Sequence, residues 1–301
     1  MDPTNPNARE HLEHVVEAIN RTHARSFQLL HRFRAGSFGA WVVTDAVGER
    51  RVLKWFEGEF RLAAVQAAAH TTARLRALGY PAPVYELSGV ALGGSYDVQS
   101  LLPGRPADVV TPSLAAQAVA LTELERDQGV DLGRAYPDQP IWPGELAEDV
   151  LRGGRDGWFN LNRIFHHSAR ARRVLTLAQE LVQAAQDTPC PQNDVVHFDF
   201  SPLNLLAARD HIVEVVDWEG VRRGDATFDL ATLLFYSWAQ WPVRDQLWSA
   251  ACARGPAGLI SLYLAYLCVR NLDFSLAYPS MPPEQVVLRA EWILADLARE
   301  A

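Results

Sequence analysis

The chain contains one lysine. Lys54 stands alone, and every other basic residue among the 28 Lys plus Arg is arginine. Against 36 Asp plus Glu this leaves a formal charge of -8. An acidic surface excludes a nucleic-acid binder, which needs clustered cations on phosphates, and suits a cationic partner better. Cysteine is scarce: Cys190, Cys252 and Cys268 lie far apart, without the close paired spacing of a zinc site or the even count of a disulfide framework, so free thiols in a reducing cytoplasm are expected. Residues 1–10 are polar and rich in Pro and Asn, without the apolar core of a signal peptide. The longest apolar run, Leu259 to Val269, is too short for a bilayer, so no membrane partner is expected. Internal repeats and low-complexity tails are lacking as well.

What is present suffices for two lobes: 301 residues, 49% of them hydrophobic. Apolar positions at helical spacing predict a helix from about Leu12 to Leu30. Phe27–Arg34, Ala40–Thr44 and Arg50–Phe56 read as antiparallel strands separated by turn residues. A helix over Phe60–Leu78 stops at Gly79, and strands follow at Val84–Leu87 and Tyr96–Leu101. From Ser113 the pattern is mostly helical. The expected architecture is α+β and bilobal: residues 1–101 form a five-stranded antiparallel lobe with its helix, and residues 102–301 a mainly helical lobe. Gly129–Asn160 has little periodicity and reads as a lid or substrate loop.

The strongest motif runs from Val195 to Trp218. Two apolar strand segments bracket His197, Asp199, Asn204 and Asp217, which places proton-accepting and hard-oxygen groups at strand ends. Phosphoryl transfer leaves a protein mainly positioning and charge neutralisation to do. Asp199 suits the role of base toward a hydroxyl, and Asn204 and Asp217 that of Mg²⁺ ligands. The H-x-D-x-x-x-x-N spacing is that of a kinase catalytic loop. Lys54, on the strand Arg51–Phe56, is where a point charge can hold the α- and β-phosphates, a task ill suited to a planar guanidinium. Gly36, Ser37 and Gly39 form a hairpin turn whose amides can approach a triphosphate.

These residues resemble the aminoglycoside phosphotransferase and choline kinase-like superfamily, small-molecule relatives of protein kinases, from about Phe27 to Leu297. The likeness is most specific from His197 to Asp217 and on into Gly224-Asp225-Ala226-Thr227-Phe228-Asp229-Leu230-Ala231. It implies that Asp229 caps the next helix and braces the catalytic loop, with His197 as structural support. It further implies that Gln99–Leu102 is the hinge, with Ser100 and Leu102 contacting adenine through their backbone. Phe198 stands where that family has glycine. The family pairs its strand lysine with a glutamate on the following helix, but Gln66–Thr71 contains no carboxylate. Glu57, Glu59, Gln66 and His70 are the alternatives.

Only Trp218–Phe228 separates Asp217 from Asp229, which leaves no room for the activation segment of a protein kinase. The expected activity is transfer of the γ-phosphoryl of ATP or GTP, with Mg²⁺, to a hydroxyl of a small molecule, foremost an aminoglycoside or other antibiotic. Glu145, Glu148, Asp149, Asp156, Asp273, Glu284 and Glu291 are candidates for binding its amino groups. A metabolic kinase for homoserine, choline or a sugar fits the same motifs. A pseudokinase that binds nucleotide without turnover would lack one of these catalytic groups.

Overall fold

The computed structural model describes residues 8–33, 39–132, 142–154, 159–278 and 282–300. In chain order the first elements are α1 (Ala8–His23), β1 (Gln28–Arg32), β2 (Trp41–Thr44), β3 (Arg50–Glu57), α2 (Leu62–Ala77), β4 (Tyr85–Ala91) and β5 (Gly94–Ser100). Then come β6 (Arg105–Pro106), α3 (Pro112–Leu124), α4 (Gly144–Arg152), α5 (Leu161–His167), α6 (Ala169–Ala185) and β7 (Asp194–Val196). The remainder is β8 (Leu205–Ala208), β9 (His211–Val215), β10 (Arg222–Gly224), α7 (Thr227–Ser237), α8 (Trp241–Cys252), α9 (Ala257–Ala277) and α10 (Pro283–Glu300). The fold is α+β and divides into two compact units. One comprises residues up to 105 together with 205–208 and 212–221; the other holds the remainder.

In the first unit, five antiparallel strands lie in the order β1-β2-β3-β5-β4. Leu12, Val15, Val16 and Ile19 form one face of α1 and bury against Leu29, Val43, Leu53, Tyr96 and Val98 of the sheet. The helix ends at His23, seven residues before the end that periodicity predicts. The reason is local: Ala24 turns to φ +51°, and the Asn20 side chain donates to the Phe27 carbonyl and accepts from its N–H, both at 2.8 Å. That pair turns the chain into β1 instead of another helical turn. The last two strands are longer than their sequence pattern suggests, because Leu92 and Gly93, both at positive φ, make a tight turn that lets the pairing run from Tyr85↔Gln99 to Ala91↔Gly94.

The second unit is mainly helical, with β7 and β10 paired antiparallel at Val196↔Arg222 and Asp194↔Gly224. Its centre is α9, buried along most of its length from Leu259 to Ser275. By length and composition α9 is apolar enough to cross a membrane, yet 72% of that apolar window is buried inside the protein, as in a core helix. The segment read as an irregular lid contains the regular helix α4. Residues 133–141 and 155–158 of that stretch, Asp156 among them, lie outside the described residues.

Candidate active site

The first unit supplies Lys54. Strand β3 turns it to the same side as Asp97, its directly paired neighbour on β5. Its ammonium donates to Asp217 Oδ1 at 2.8 Å and to Glu219 at 2.8 and 3.1 Å. These two carboxylates are therefore the partners of Lys54, while Glu57, Glu59, Gln66 and His70 all sit at exposed positions. Burial alone would push the ammonium pKa down. Asp217, Glu219 and Asp97 more than offset it and hold the group above its ordinary range. The same burial raises Asp97 and Glu219, because one cation cannot neutralise all the acids around it.

Asp217 follows β9 in the left-handed conformation, φ 72° and ψ 51°, and opens a short 3₁₀ turn over Trp218–Gly220. Trp218 anchors this turn: it is fully buried, donates its indole N–H to the Val215 carbonyl at 2.7 Å and meets Tyr80 edge-on at 5.4 Å. Helix α2 packs on the same turn. Residues two apart on a turn so fixed can hold two carboxylates on one ammonium.

Gly36 and Ser37 lie outside the described residues. Gly39 adopts φ +70°, a value glycine takes without strain, and the Phe33 N–H closes onto the Ala40 carbonyl at 2.9 Å. Ser100, the last residue of β5, gives its N–H to the Val84 carbonyl at 2.9 Å and accepts the Val84 N–H on its hydroxyl at 3.0 Å. The Ser100 N–H and hydroxyl are thus engaged with Val84. Leu102 follows the strand and is partly exposed.

The second unit supplies the loop after β7. Asn204 directs its amide nitrogen at Asp199, 2.8 Å from the carbonyl and 3.0 Å from Oδ2, which orients the carboxylate. Buried His197 accepts the Asp199 N–H on Nδ1 at 3.3 Å, so it shapes the loop from inside. Asp229 braces the loop from α7, accepting the N–H of His197 at 2.6 Å and of Phe198 at 3.0 Å. Burial raises its pKa to about 8, against those two bonds, which pull it down. Asp229 lies inside the first turn of α7 rather than capping it; Asp225 accepts the Thr227 N–H at 2.9 Å instead.

Phe198 adopts φ +71°, where glycine would be unstrained. It is held by packing: stacked on Phe228 at 5.2 Å, it lies under the guanidinium groups of Arg222 at 3.9 Å and Arg270 at 4.7 Å. Arg270 also donates to the Phe198 carbonyl at 2.6 Å and stands 3.8 Å from Asp199 Oδ1.

A strand lysine held on an aspartate, with a separate His-x-Asp loop braced by a distant acid, is the arrangement expected of phosphoryl transfer, and residues 31–259 match the model of the phosphotransferase enzyme family APH. The chain belongs to that family. Solved structures share the fold of this APH-family chain. Aminoglycoside phosphotransferase APH(4)-Ia, as a thermostable apo form, superposes with a TM-score of 0.69 at 16% identity, over 94% of this chain and 98% of that one. An amicoumacin kinase solved with AMP-PNP, Ca2+ and Ami gives 0.65 at 14% identity, over 96% of both chains. An aminoglycoside phosphotransferase from Alicyclobacillus acidocaldarius gives 0.54 at 16% identity, over 90% and 92%. No curated protein matches the chain.

Glu219, Asp97, Arg222 and Arg270 escaped the motif reading. Two of them left a trace in the sequence: Glu219 follows Asp217 by two residues, and Arg270 is one of only two charged residues in the apolar stretch from Leu259 to Ala277.

Proposed function

We propose that this chain moves the γ-phosphoryl of ATP or GTP to a hydroxyl of a small molecule, foremost an aminoglycoside or another antibiotic. Asp199 carries the reading: a partly exposed carboxylate oriented by the Asn204 amide, on a loop held by Asp229, is built to accept a proton from a hydroxyl. As the acceptor oxygen bonds to the γ-phosphorus, its proton passes to Asp199. The bond from the γ-phosphorus to the β,γ-bridging oxygen breaks, and the nucleoside diphosphate leaves. Lys54 would hold the phosphates. The oxygens of Asp217 and Asn204 suit Mg²⁺: both are hard donors, and Asn204, whose amide nitrogen faces Asp199, keeps its carbonyl oxygen for a cation. Bound there, Mg²⁺ would supply neutralisation of phosphate charge.

Support for the nucleotide comes from structural neighbours solved with ADP and hygromycin B, and with AMP-PNP and Ca2+. A reducing cytoplasm fits the free thiols, of which burial pushes Cys190 up to about 11, so it is inert. The acceptor is less constrained. Several acids offered for amine binding are taken by arginines: Glu145 by Arg222 at 3.1 Å, Glu148 by Arg152 at 3.1 Å, Asp273 by Arg163 at 2.8 Å and Glu291 by Arg173 at 3.0 Å. That pairing favours, as a second reading, a less cationic acceptor such as an amino alcohol or a sugar. A coupled assay of ADP or GDP release, run with ATP and GTP over aminoglycosides, macrolides, peptide antibiotics, amino alcohols and sugars, tests both. Transfer to none of them, with no nucleotide binding in the presence of Mg²⁺, would defeat the kinase reading.

A further inference from the structure

Four carboxylates, of Asp97, Glu214, Asp217 and Glu219, lie around the single lysine in the first unit, and they are not equivalent. The Asp217 side chain is 36% exposed and that of Glu219 only 13%. Asp97 is fully buried; its Oδ1 accepts the Gln99 amide at 2.7 Å, and its Oδ2 has no hydrogen-bond partner among the described residues. The same Gln99 nitrogen stands 3.5 Å from Glu219 Oε1. Asp97 and Gln99 are the most buried of the group, Lys54 and Glu219 are nearly so, and Asp217 is the most exposed. The exposed Asp217 is open to a cation from solvent, whereas the less exposed Glu219 receives the ammonium on both oxygens.

We propose that Glu219, backed by Gln99 and Asp97, is the residue that positions Lys54 for the phosphates, replacing the helix carboxylate that α2 lacks. The inference rests on the kinase reading, in which Asp217 is drawn to Mg²⁺. An ammonium held by Asp217 alone would lose its partner when nucleotide binds. Glu219 keeps the lysine in place, because it is the less exposed of the two carboxylates, takes the ammonium on both oxygens and is linked through Gln99 to buried Asp97. The lysine and the metal-side aspartate are thereby set by one three-residue turn pinned by Trp218, not by the orientation of a helix.

The test is calorimetric binding of AMP-PNP and of adenosine to the full chain, with Mg²⁺ and again in EDTA, for wild type, Glu219→Gln, Glu219→Asp and Lys54→Ala. A positioning role predicts that Glu219→Gln weakens AMP-PNP about tenfold in both buffers. Adenosine, which has no phosphate for Lys54, is held as before, and Glu219→Asp recovers part of the loss. An AMP-PNP loss below threefold overturns the proposal. So does a loss confined to the Mg²⁺ buffer, the mark of a metal ligand, and so does an equal loss of adenosine, the mark of a damaged fold. Lys54→Ala separates the two levels. Should it bind AMP-PNP as wild type does, the kinase reading itself fails; should it lose binding while Glu219→Gln does not, only the positioning role falls.

Discussion

Arg270 holds Phe198 twice, donating to its carbonyl at 2.6 Å and lying 4.7 Å over its ring, while the same guanidinium stands 3.8 Å from Asp199. One side chain from the core helix α9 thus sets both the backbone ahead of Asp199 and the charge beside its carboxylate. Arg270→Ala should lower turnover by about ten- to a hundredfold while nucleotide affinity stays unchanged. The lost charge-assisted hydrogen bond should cost about 1.5–3 kcal/mol of stability. Steady-state kinetics alongside denaturant unfolding will show whether turnover and stability part company in this way.

Asp199→Ala should lower turnover by about 10²–10⁴-fold and leave AMP-PNP affinity intact, since the side chain is assigned to the hydroxyl and not to the phosphates. Turnover close to wild type in a verified, folded variant would remove Asp199 from the role of base.

Phe198→Gly sets two effects against each other. Glycine relieves a left-handed residue of about 1–2 kcal/mol, but deleting a buried phenyl ring costs about 3–5 kcal/mol. Packing wins on these magnitudes, so the variant should be less stable by about 2 kcal/mol despite restoring the residue usual in the family. A urea midpoint above that of wild type would show that backbone strain dominates.

Asp229→Asn removes a carboxylate that accepts two backbone N–H groups and leaves an amide able to accept properly from only one of them. A buried donor left without a partner costs about 1–3 kcal/mol, so the melting temperature should fall. Turnover should fall with it, because the loop carrying Asp199 loosens. Hydrogen exchange at the His197 and Phe198 amides checks the cause directly: both should exchange faster than in wild type.

Glu214 is buried on β9, and burial raises its pKa to about 7 despite the pull of Lys54. A carboxyl raised on folding binds its proton more tightly in the native state, so its contribution to stability is present below the unfolded pKa. That contribution is lost as pH rises to about 7. Glu214→Gln should therefore be more stable than wild type at pH 8, by on the order of 1–2 kcal/mol, with the difference fading toward pH 5. Paired thermal melts across that range give the comparison, and a constant difference would exclude titration of Glu214 as its source.

Local order along the chain was enough for the strand pattern of the first unit, the helical character of the second and the His197–Asp217 motif. Period-two and period-3.6 burial and close-range spacing are written in neighbouring residues. The first helix was overrun because its end depends on one Asn20 side chain closing on Phe27, a contact that hydropathy does not register. The partner of Lys54 could not be read at all. It required strand β3 to lie beside β5 and the turn after β9 to reach the same ammonium, bringing together residues more than 160 positions apart. The tolerance of phenylalanine at position 198 likewise rests on Phe228, Arg222 and Arg270, contributed by three separate segments. Patterning decides which residues face inward, but only the closed tertiary structure decides which buried charges meet, because that pairing is between side chains with no shared sequence period.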